Sequence, residues 1–504
     1  LTAAFLSLTD FYKAGNMRAL KILSGIVVAV VAGYIAFRFS GEKPIGYMVG
    51  ITVWMAAWWI TEVVPLAVTS MIPVFAFPAL GLMSTGAVAG VYMNDVLFLF
   101  VGGFIMSFAM ERWNLHHRIA LRIILAVGTD GSRILLGLML CSFIISMWIS
   151  NTATTMMLIP TTLAVLHKIE TLQLPNRENI SKALLLGIAH ASTIGGVATI
   201  VGTPTNMIFA SYFQQHYPAQ TPVSFVQWFL FGLPVALLML AVGFLVLRWF
   251  FLQKSNTEKL HVDSTLFHKE LHAMGKASYE EKMVMLLFGV LVLLWFTRAD
   301  LVIGSITLKG WSNLFSHPKY IQDGAVAVAV SLLLFILPSK QNDTTLITWE
   351  QVKKLPYSVI LLFGGGFALA KGFEDSGLTV WLATLLKFLD AYSPLVIVMC
   401  VCIFITFVSE FASNMATIQL SLPVLSAIAL STGINPLLLM IPGTFAASYA
   451  FMMPVGTAPN TIIFGSEKLK TTDMMRPGIV LNICGVVLLT LMTFIWGKFI
   501  FGLN

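Results

Sequence analysis

The chain has 504 residues, 58% of them hydrophobic and only 11% charged, with a mean hydropathy of +0.87 and a formal net charge of +7. That composition excludes a run of soluble domains and describes a polytopic helical membrane protein. The thinly spread positive charge reads as topological rather than as a nucleic-acid surface, and the apolar runs are continuous, which argues against a membrane β-barrel.

Residues 1–18 read as an amphipathic interfacial start carrying Lys13, Arg18 and, just beyond, Lys21, which predicts a cytoplasmic N-terminus. A first span is expected over about 19–39, long enough to cross a bilayer, so no cleavable signal is expected. The next run, with Trp54 to Glu62 followed by Pro65, Pro73 and Pro78, reads as two spans separated near Pro65. A span over about Val96 to Glu111 carries Gly102-Gly103, and His116-His117-Arg118 opens a short interfacial segment.

From Ile134 to Val165 the apolar run is interrupted by Ser150-Asn151-Thr152-Ala153-Thr154. A polar break at the centre of such a run predicts two short helices meeting at a tip, a re-entrant hairpin. The next run, about 183–213, contains Gly195-Gly196 and Gly202-Thr203-Pro204-Thr205-Asn206 and reads as a broken helix. A span near 227–252 follows, then a charged stretch at 253–283 that reads as a linker.

The second half repeats the plan. Ser413-Asn414-Met415-Ala416-Thr417 lies 263 residues after its first copy, Pro423 matches Pro160 and Glu374 matches Glu111 at the same offset, and Gly364-Gly365-Gly366 falls where Val101-Gly102-Gly103 does. Spans are expected near 284–298, 323–338 and 358–373, a second hairpin over about 394–430, a second broken helix over 435–465 around Gly456-Thr457-Ala458-Pro459-Asn460, and a last span near 478–500. Duplication at fixed offset predicts two repeats with a site between the halves.

Two hairpin tips and two broken helices expose helix ends. Helix N-termini suit oxyanions, and unwound carbonyls with Asn and Ser oxygens suit small hard cations. Neither motif contains Lys or Arg, so an anionic ligand would need co-bound cations to offset its charge. Glu62, Glu111, Glu374 and Glu410 are candidates by their expense in a membrane; Glu111 and Glu374 read as structural acids paired beside Arg112 and Lys371, and Glu410 as a support for the second tip. The glycine runs read as packing, and Cys141, Cys400, Cys402 and Cys484 as small core residues without metal-ligand spacing. No repeated His, Cys or Asp cluster supports an enzyme, and closed tips with discrete ligand sets argue against a passive channel.

The Ser-Asn tips, Thr61-Glu62-Val63-Val64-Pro65, the Trp349-Glu350 to Gly366 run and the two Gly-Thr-x-x-Asn breaks resemble the divalent anion/sodium symporter family from about residue 19 onward. The resemblance implies an all-α polytopic fold of about 11 transmembrane helices, two inverted repeats with re-entrant hairpins and broken helices, and elevator-type movement of a transport domain in a homodimer. It implies a first repeat at 1–252 (scaffold to about 94), a linker at 253–283 and a second repeat at 284–504 (scaffold to about 338). The function implied is sodium-coupled uptake of a di- or tricarboxylate; the spans themselves point to a plasma membrane, and the absence of long loops makes a bacterial inner membrane the expectation. A sodium-independent exchanger, a citrate or sulfate carrier, and a proton-coupled carrier using Glu62 or Glu410 stand as alternatives.

By the same resemblance, one sodium site uses Ser146, Ser150, Asn151 and the backbone at Gly202. The other uses Ser409, the backbone at Ala412, Asn414 and the backbone at Gly456. The anion meets Ser150, Asn151, Thr152 and Thr203 from one half and Ser413, Asn414, Met415 and Thr457 from the other. Met415 stands where the family has Thr, and Ala458 where it often has Pro, so the second half is expected to offer the anion one donor fewer.

Overall fold

A computed structural model describes residues 2–129, 132–171, 177–252, 264–303, 306–341 and 344–502. Among them the regular elements are helices except for one two-stranded antiparallel hairpin, β1 (Leu301–Ile303) and β2 (Ile306–Leu308), and an isolated bridge between Pro338 and Thr345, neither of which hydropathy predicts. Among the described residues five helices are long and apolar enough to cross a membrane, and five shorter apolar helices of 10–17 residues accompany them. The short ones include the arms expected for hairpins and broken helices, where the polar break divides an apolar run into two pieces.

The chain divides into two compact units. The first comprises Leu1–Asn94, Pro356–Pro394 and Met415–Met440. Its long helix Thr2–Ser40 runs without interruption through the boundary expected near residue 18, and it pairs with Lys43–Thr61. The close approach rests on glycine: a Cβ built on Gly33 would lie 2.7 Å from the Gly46 carbonyl. Glu62, in the left-handed region at φ 45°, and Pro65 end the second helix, and two short helices, Leu66–Thr69 and Ile72–Ala79, follow where a single span was expected. Glu62 is exposed.

Helix Tyr357–Asp375 lays its glycine triplet along this unit. A Cβ at Gly364 would strike the Tyr92 ring, one at Gly365 would meet Ser70, and one at Gly366 would meet Gln419, whose Nε2 donates to the Leu362 carbonyl at 2.9 Å. The triplet is therefore a packing face, as its sequence suggested. Around it lies an apolar core of Met48, Met55, Trp59, Phe77, Leu369 and Phe373, with Met415 partly buried against it.

The second unit comprises Asp95–Leu355, Leu395–Asn414 and Ile441–Asn504. Helix Val96–Arg112 packs on Asp323–Ile336 through Gly102, where a Cβ would lie 2.5 Å from that of Ala327. Arg112 does not pair with Glu111. It donates to the carbonyls of Thr345 and Leu346 at 3.2 and 3.3 Å and to the Gln351 side chain at 3.0 Å, while Lys371 and Glu374 of the first unit do pair at 3.1 Å. The segment opened by His116 is the helix Leu115–Val127, and its Arg118 is buried within the protein. Arg118 forms an ion pair with Glu281 at 2.6 Å and donates to the carbonyls of Gly275 and Met274, so each charge leaves water with its hydrogen bonds supplied. In the stretch expected to be an aperiodic linker, Thr265–Ala273 is helical, and residues 253–263 lie outside the described residues. Of the four cysteines, all free, Cys141 and Cys402 are buried as expected, but Cys400 is exposed and Cys484 half-buried. Cys400 and Cys402 sit two apart on one helix, so their side chains cannot share its buried face.

Candidate functional site: two hairpin tips and two broken helices

The first tip joins helix Arg133–Ser146 to helix Asn151–Thr171. Ser150 acts as the N-terminal cap, its hydroxyl accepting the Ala153 N–H at 3.3 Å. The Ser146 hydroxyl donates to Asn151 Oδ1 at 2.7 Å across the tip. Asn151 in turn lies so close to the first broken helix that a Cβ on Gly196 would stand 2.3 Å from its Oδ1. Thr152 is exposed, and Ser150 and Asn151 are half-buried. A narrow cleft beside Ser150 is lined by Gly103, Phe104, Ser107, Trp148, Val201 and Met207.

The first broken helix runs from Arg177–Gly196 to Pro204–His216. Its unwound stretch is held by Asn206, whose Nδ2 donates to the carbonyls of Gly196 (3.2 Å) and Thr199 (2.7 Å). Thr199 ties the break to the tip: its hydroxyl donates to the Met147 carbonyl at 2.6 Å and accepts the Gly202 N–H at 3.0 Å. Thr203 precedes the second piece as its extended N-cap.

The second tip repeats this arrangement between Pro394–Ser409 and Asn414–Thr432. Ser409 Oγ lies 2.8 Å from Asn414 Oδ1 and also within hydrogen-bonding distance of the Ala447 carbonyl, yet it has one proton to give. As placed, Asn414 Oδ1 faces only oxygens. Turned over, the amide would donate to Ser409 Oγ at 2.8 Å, Gly456 O at 3.1 Å and Ala447 O at 3.2 Å. Which end of an amide points inward follows from its partners. Here three oxygen acceptors surround that position, a donor set that suits a small hard cation as well as it suits an N–H. Ala412 is buried at the bend, its N–H donating to Val408 O at 3.1 Å, and Ser413 is half-buried.

The second break, between Pro436–Ser448 and Ala458–Phe464, is closed by Asn460 as the first is by Asn206. Its Nδ2 donates to the carbonyls of Ala450 (3.1 Å) and Met453 (3.0 Å), which occupy the same places as Gly196 and Thr199 when Gly202 is set on Gly456. Thr457 caps the following helix, accepting the Asn460 N–H at 3.3 Å. Glu410 supports the tip, as expected: its carboxylate accepts from the N–H groups of Phe451 (2.8 Å), Met452 (3.0 Å) and Met453 (2.9 Å) and from Asn482 Nδ2 (2.6 Å).

In the second unit the structure thus assembles Ser146, Ser150, Asn151, Gly202 and Thr203 at one tip and break, and Ser409, Ala412, Asn414, Gly456 and Thr457 at the other. Met415 lies on the first unit's side of the division, against the apolar core. The sequence reading had not singled out Thr199, Asn482 or the roles of Asn206 and Asn460; the repetition of both asparagines at the ends of the Gly-Thr-x-x-Asn motifs was the available signal.

With that geometry in view, likeness to known proteins becomes specific. Residues 19–503 match the family model described as the sodium:sulfate symporter transmembrane region. The chain belongs to this family. Within the sodium:sulfate symporter family it is similar to the sodium-dependent dicarboxylate transporter SdcS of Staphylococcus saprophyticus, with 40% identity over 455 residues, 89% of this chain and 85% of the relative. It is equally similar to the protein of that name from Staphylococcus aureus strain USA300, with 40% identity over 465 residues, 91% of this chain and 87% of the relative. In fold it resembles two solved structures far from it in sequence. One is MtrF of Neisseria gonorrhoeae (TM-score 0.52, 15% identity, 81% of this chain and 82% of that one). The other is the YdaH transporter of Alcanivorax borkumensis (TM-score 0.53, 12% identity, 82% and 87%). Family membership makes the chain a multi-pass membrane transporter, not an enzyme.

Proposed function

We propose that this protein is a secondary transporter that couples sodium entry to the uptake of a dicarboxylate, a C4 acid such as succinate, malate or fumarate. The relatives' sodium-dependent dicarboxylate transport supports the reading. The structural observation that carries it is the repeated tip, a serine hydroxyl against the asparagine side chain five residues on, at 2.7 Å in the first and 2.8 Å in the second, with the Gly456 and Ala447 carbonyls beside Asn414. One sodium ion is assigned to Ser146, Ser150, Asn151 and the backbone at Gly202, the other to Ser409, Asn414 and the backbone at Ala412 and Gly456.

The anion is assigned to Ser150, Asn151, Thr152 and Thr203 with Ser413, Asn414 and Thr457, and with Met415 bordering the second tip. Helix N-termini at Asn151, Pro204 and Asn414 supply amides and partial positive charge for its carboxylates. Two negative charges without a Lys or Arg in either motif make binding depend on the sodium charges, which is the physical origin of coupling. The anion's energy is lowered only when the cations are in place, and by linkage the cations bind better when the anion is. An elevator-type movement, a homodimer, a bacterial inner-membrane location and the repeat boundaries at 252 and 284 complete the proposal.

The test is uptake of labelled succinate into proteoliposomes under an inward sodium gradient. Accumulation that collapses when choline replaces sodium is expected. Equal uptake in choline, driven by internal dicarboxylate, would replace the symporter with an exchanger.

A further inference from the structure

One link between the two halves of the second unit is not part of either proposed ion site. Thr205, in the first turn after the first break, and Ser448, the last residue before the second, place their hydroxyl oxygens 2.8 Å apart. Both residues are fully buried. The pair has neighbours on each side. Thr205 Oγ1 lies 3.4 Å from Thr203 Oγ1, and Ser448 Oγ lies 3.3 Å from the Thr444 carbonyl. In the orientation that points Asn414 Oδ1 at the proposed cation position, its Nδ2 donates to the Ser448 carbonyl at 3.4 Å; turned over, the amide loses this bond, so the Ser448 carbonyl favours the cation-facing orientation. A line of hydroxyls therefore runs from Thr203, assigned to the anion, to the residue that faces the second-tip amide, assigned to sodium.

Repeat packing does not require this bridge. When Gly202 is set on Gly456, Thr205 falls on Pro459 and Ser448 on Ile194, so the equivalent pair carries no hydroxyl. A buried hydroxyl pair retained on one side of a duplicated scaffold needs another reason.

Proton counting supplies one. Each hydroxyl has one hydrogen to donate. In one arrangement Ser448 donates to the Thr444 carbonyl and Thr205 donates to Ser448. In the other Ser448 donates to Thr205 and Thr205 to Thr203, which makes the Thr203 hydroxyl a stronger donor because it is itself accepting. An anion on Thr203 selects the second arrangement. That draws the Ser448 hydroxyl away from Thr444, at the residue whose carbonyl orients Asn414.

We infer that Thr205 and Ser448 form a hydroxyl relay that couples anion binding at Thr203 to sodium binding at the Asn414 tip. The inference rests on the sodium-coupled reading above and deepens it by naming positioning residues that touch neither ion nor anion. Removing the relay lowers coupling by about fivefold, the lower end of typical site-to-site coupling.

The experiment is calorimetric titration of succinate into the purified full chain at low and at high sodium. In the unsubstituted protein sodium tightens succinate binding. In Thr205→Val, which keeps the shape and loses the hydroxyl, that tightening shrinks about fivefold while stabilisation by sodium alone persists. Thr205→Ser restores it, and Ser448→Ala reproduces the loss, the double variant adding nothing further. Ser448→Ala also carries the test if Thr205→Val does not fold. Full wild-type tightening in either hydroxyl-free variant overturns the relay, as does a Thr205→Ser variant no better than Thr205→Val. A flat sodium response in the unsubstituted protein would instead overturn the coupled reading beneath it.

Discussion

The two tips of the second unit are built alike and braced differently. Both set a serine hydroxyl five residues before an asparagine, at 2.7 Å in the first and 2.8 Å in the second, and both stand against a break closed by an asparagine amide. The first tip is tied to its break by a neutral bond from the Thr199 hydroxyl to the Met147 carbonyl. In the second the residue equivalent to Met147 is Glu410, and its carboxylate gathers three backbone N–H groups and the Asn482 amide. Duplication thus preserved the groups that would face ions and left the bracing free to diverge. A brace needs only to fix the tip, whereas a cation site needs a particular set of oxygens at particular distances.

The largest effect is expected where the tips are alike. Asn151→Ala and Asn414→Ala each remove one amide oxygen from a proposed sodium site and are expected to lower sodium-driven succinate uptake at least a hundredfold, with monodisperse protein retained on size exclusion. Substantial uptake in one variant alone would break the equivalence of the tips.

The bracing should separate them. Glu410→Gln keeps the size of the side chain but removes the charge and places an amide where backbone N–H groups point. A loss on the order of 2–3 kcal/mol is expected, since hydrogen bonds to charged groups are the stronger ones. It would be read as a lowered melting temperature. Met147→Leu at the matching place should change stability by under about 1.5 kcal/mol, because Leu nearly conserves the buried volume of Met147 and leaves its carbonyl bond to Thr199 in place. Equal losses in the two variants would show that the brace is not asymmetric.

A third contrast is steric. The first break has Gly196 where the second has Ala450. Gly196→Ala would push a methyl into Asn151 and is expected to weaken sodium stabilisation of the purified protein about tenfold in sodium concentration. Ala450→Gly relieves nothing and should leave the sodium response within twofold. A tolerant Gly196→Ala variant would mean that Asn151 can retreat without cost.

The smallest effect concerns Met415. Its side chain packs against the apolar core of the first unit, so Met415→Thr exchanges apolar burial for a hydroxyl. A stability loss of about 1–2 kcal/mol is expected from the lost methylenes, alongside a succinate affinity improved by less than tenfold. Unchanged or weaker affinity would remove the expectation that Met415 subtracts a donor from the anion site.

Much of this molecule is written in its sequence. Apolar run lengths outlined most of the helices, though not the split at Leu66–Ala79, a polar break in each doubled run located the tips, and a repeat at 263 residues paired them, because in a bilayer an uncovered backbone or an unexplained Asn is too costly to be incidental. The glycine triplet read correctly as packing for the same kind of reason: only a residue without a Cβ admits a neighbour that close. What the sequence left open depends on which groups meet across long separations. Whether Arg112 bonds Glu111 or the carbonyls of residues 345 and 346, whether Arg118 is solvated or pairs with Glu281, and which amides Glu410 gathers are set by partners far apart in the chain. Hydropathy carries no information about them. The same holds for Thr205 and Ser448, which lie 243 residues apart. Their side chains are ordinary helix-end hydroxyls until folding brings them together in a dry interior, where one proton has two acceptors to choose from.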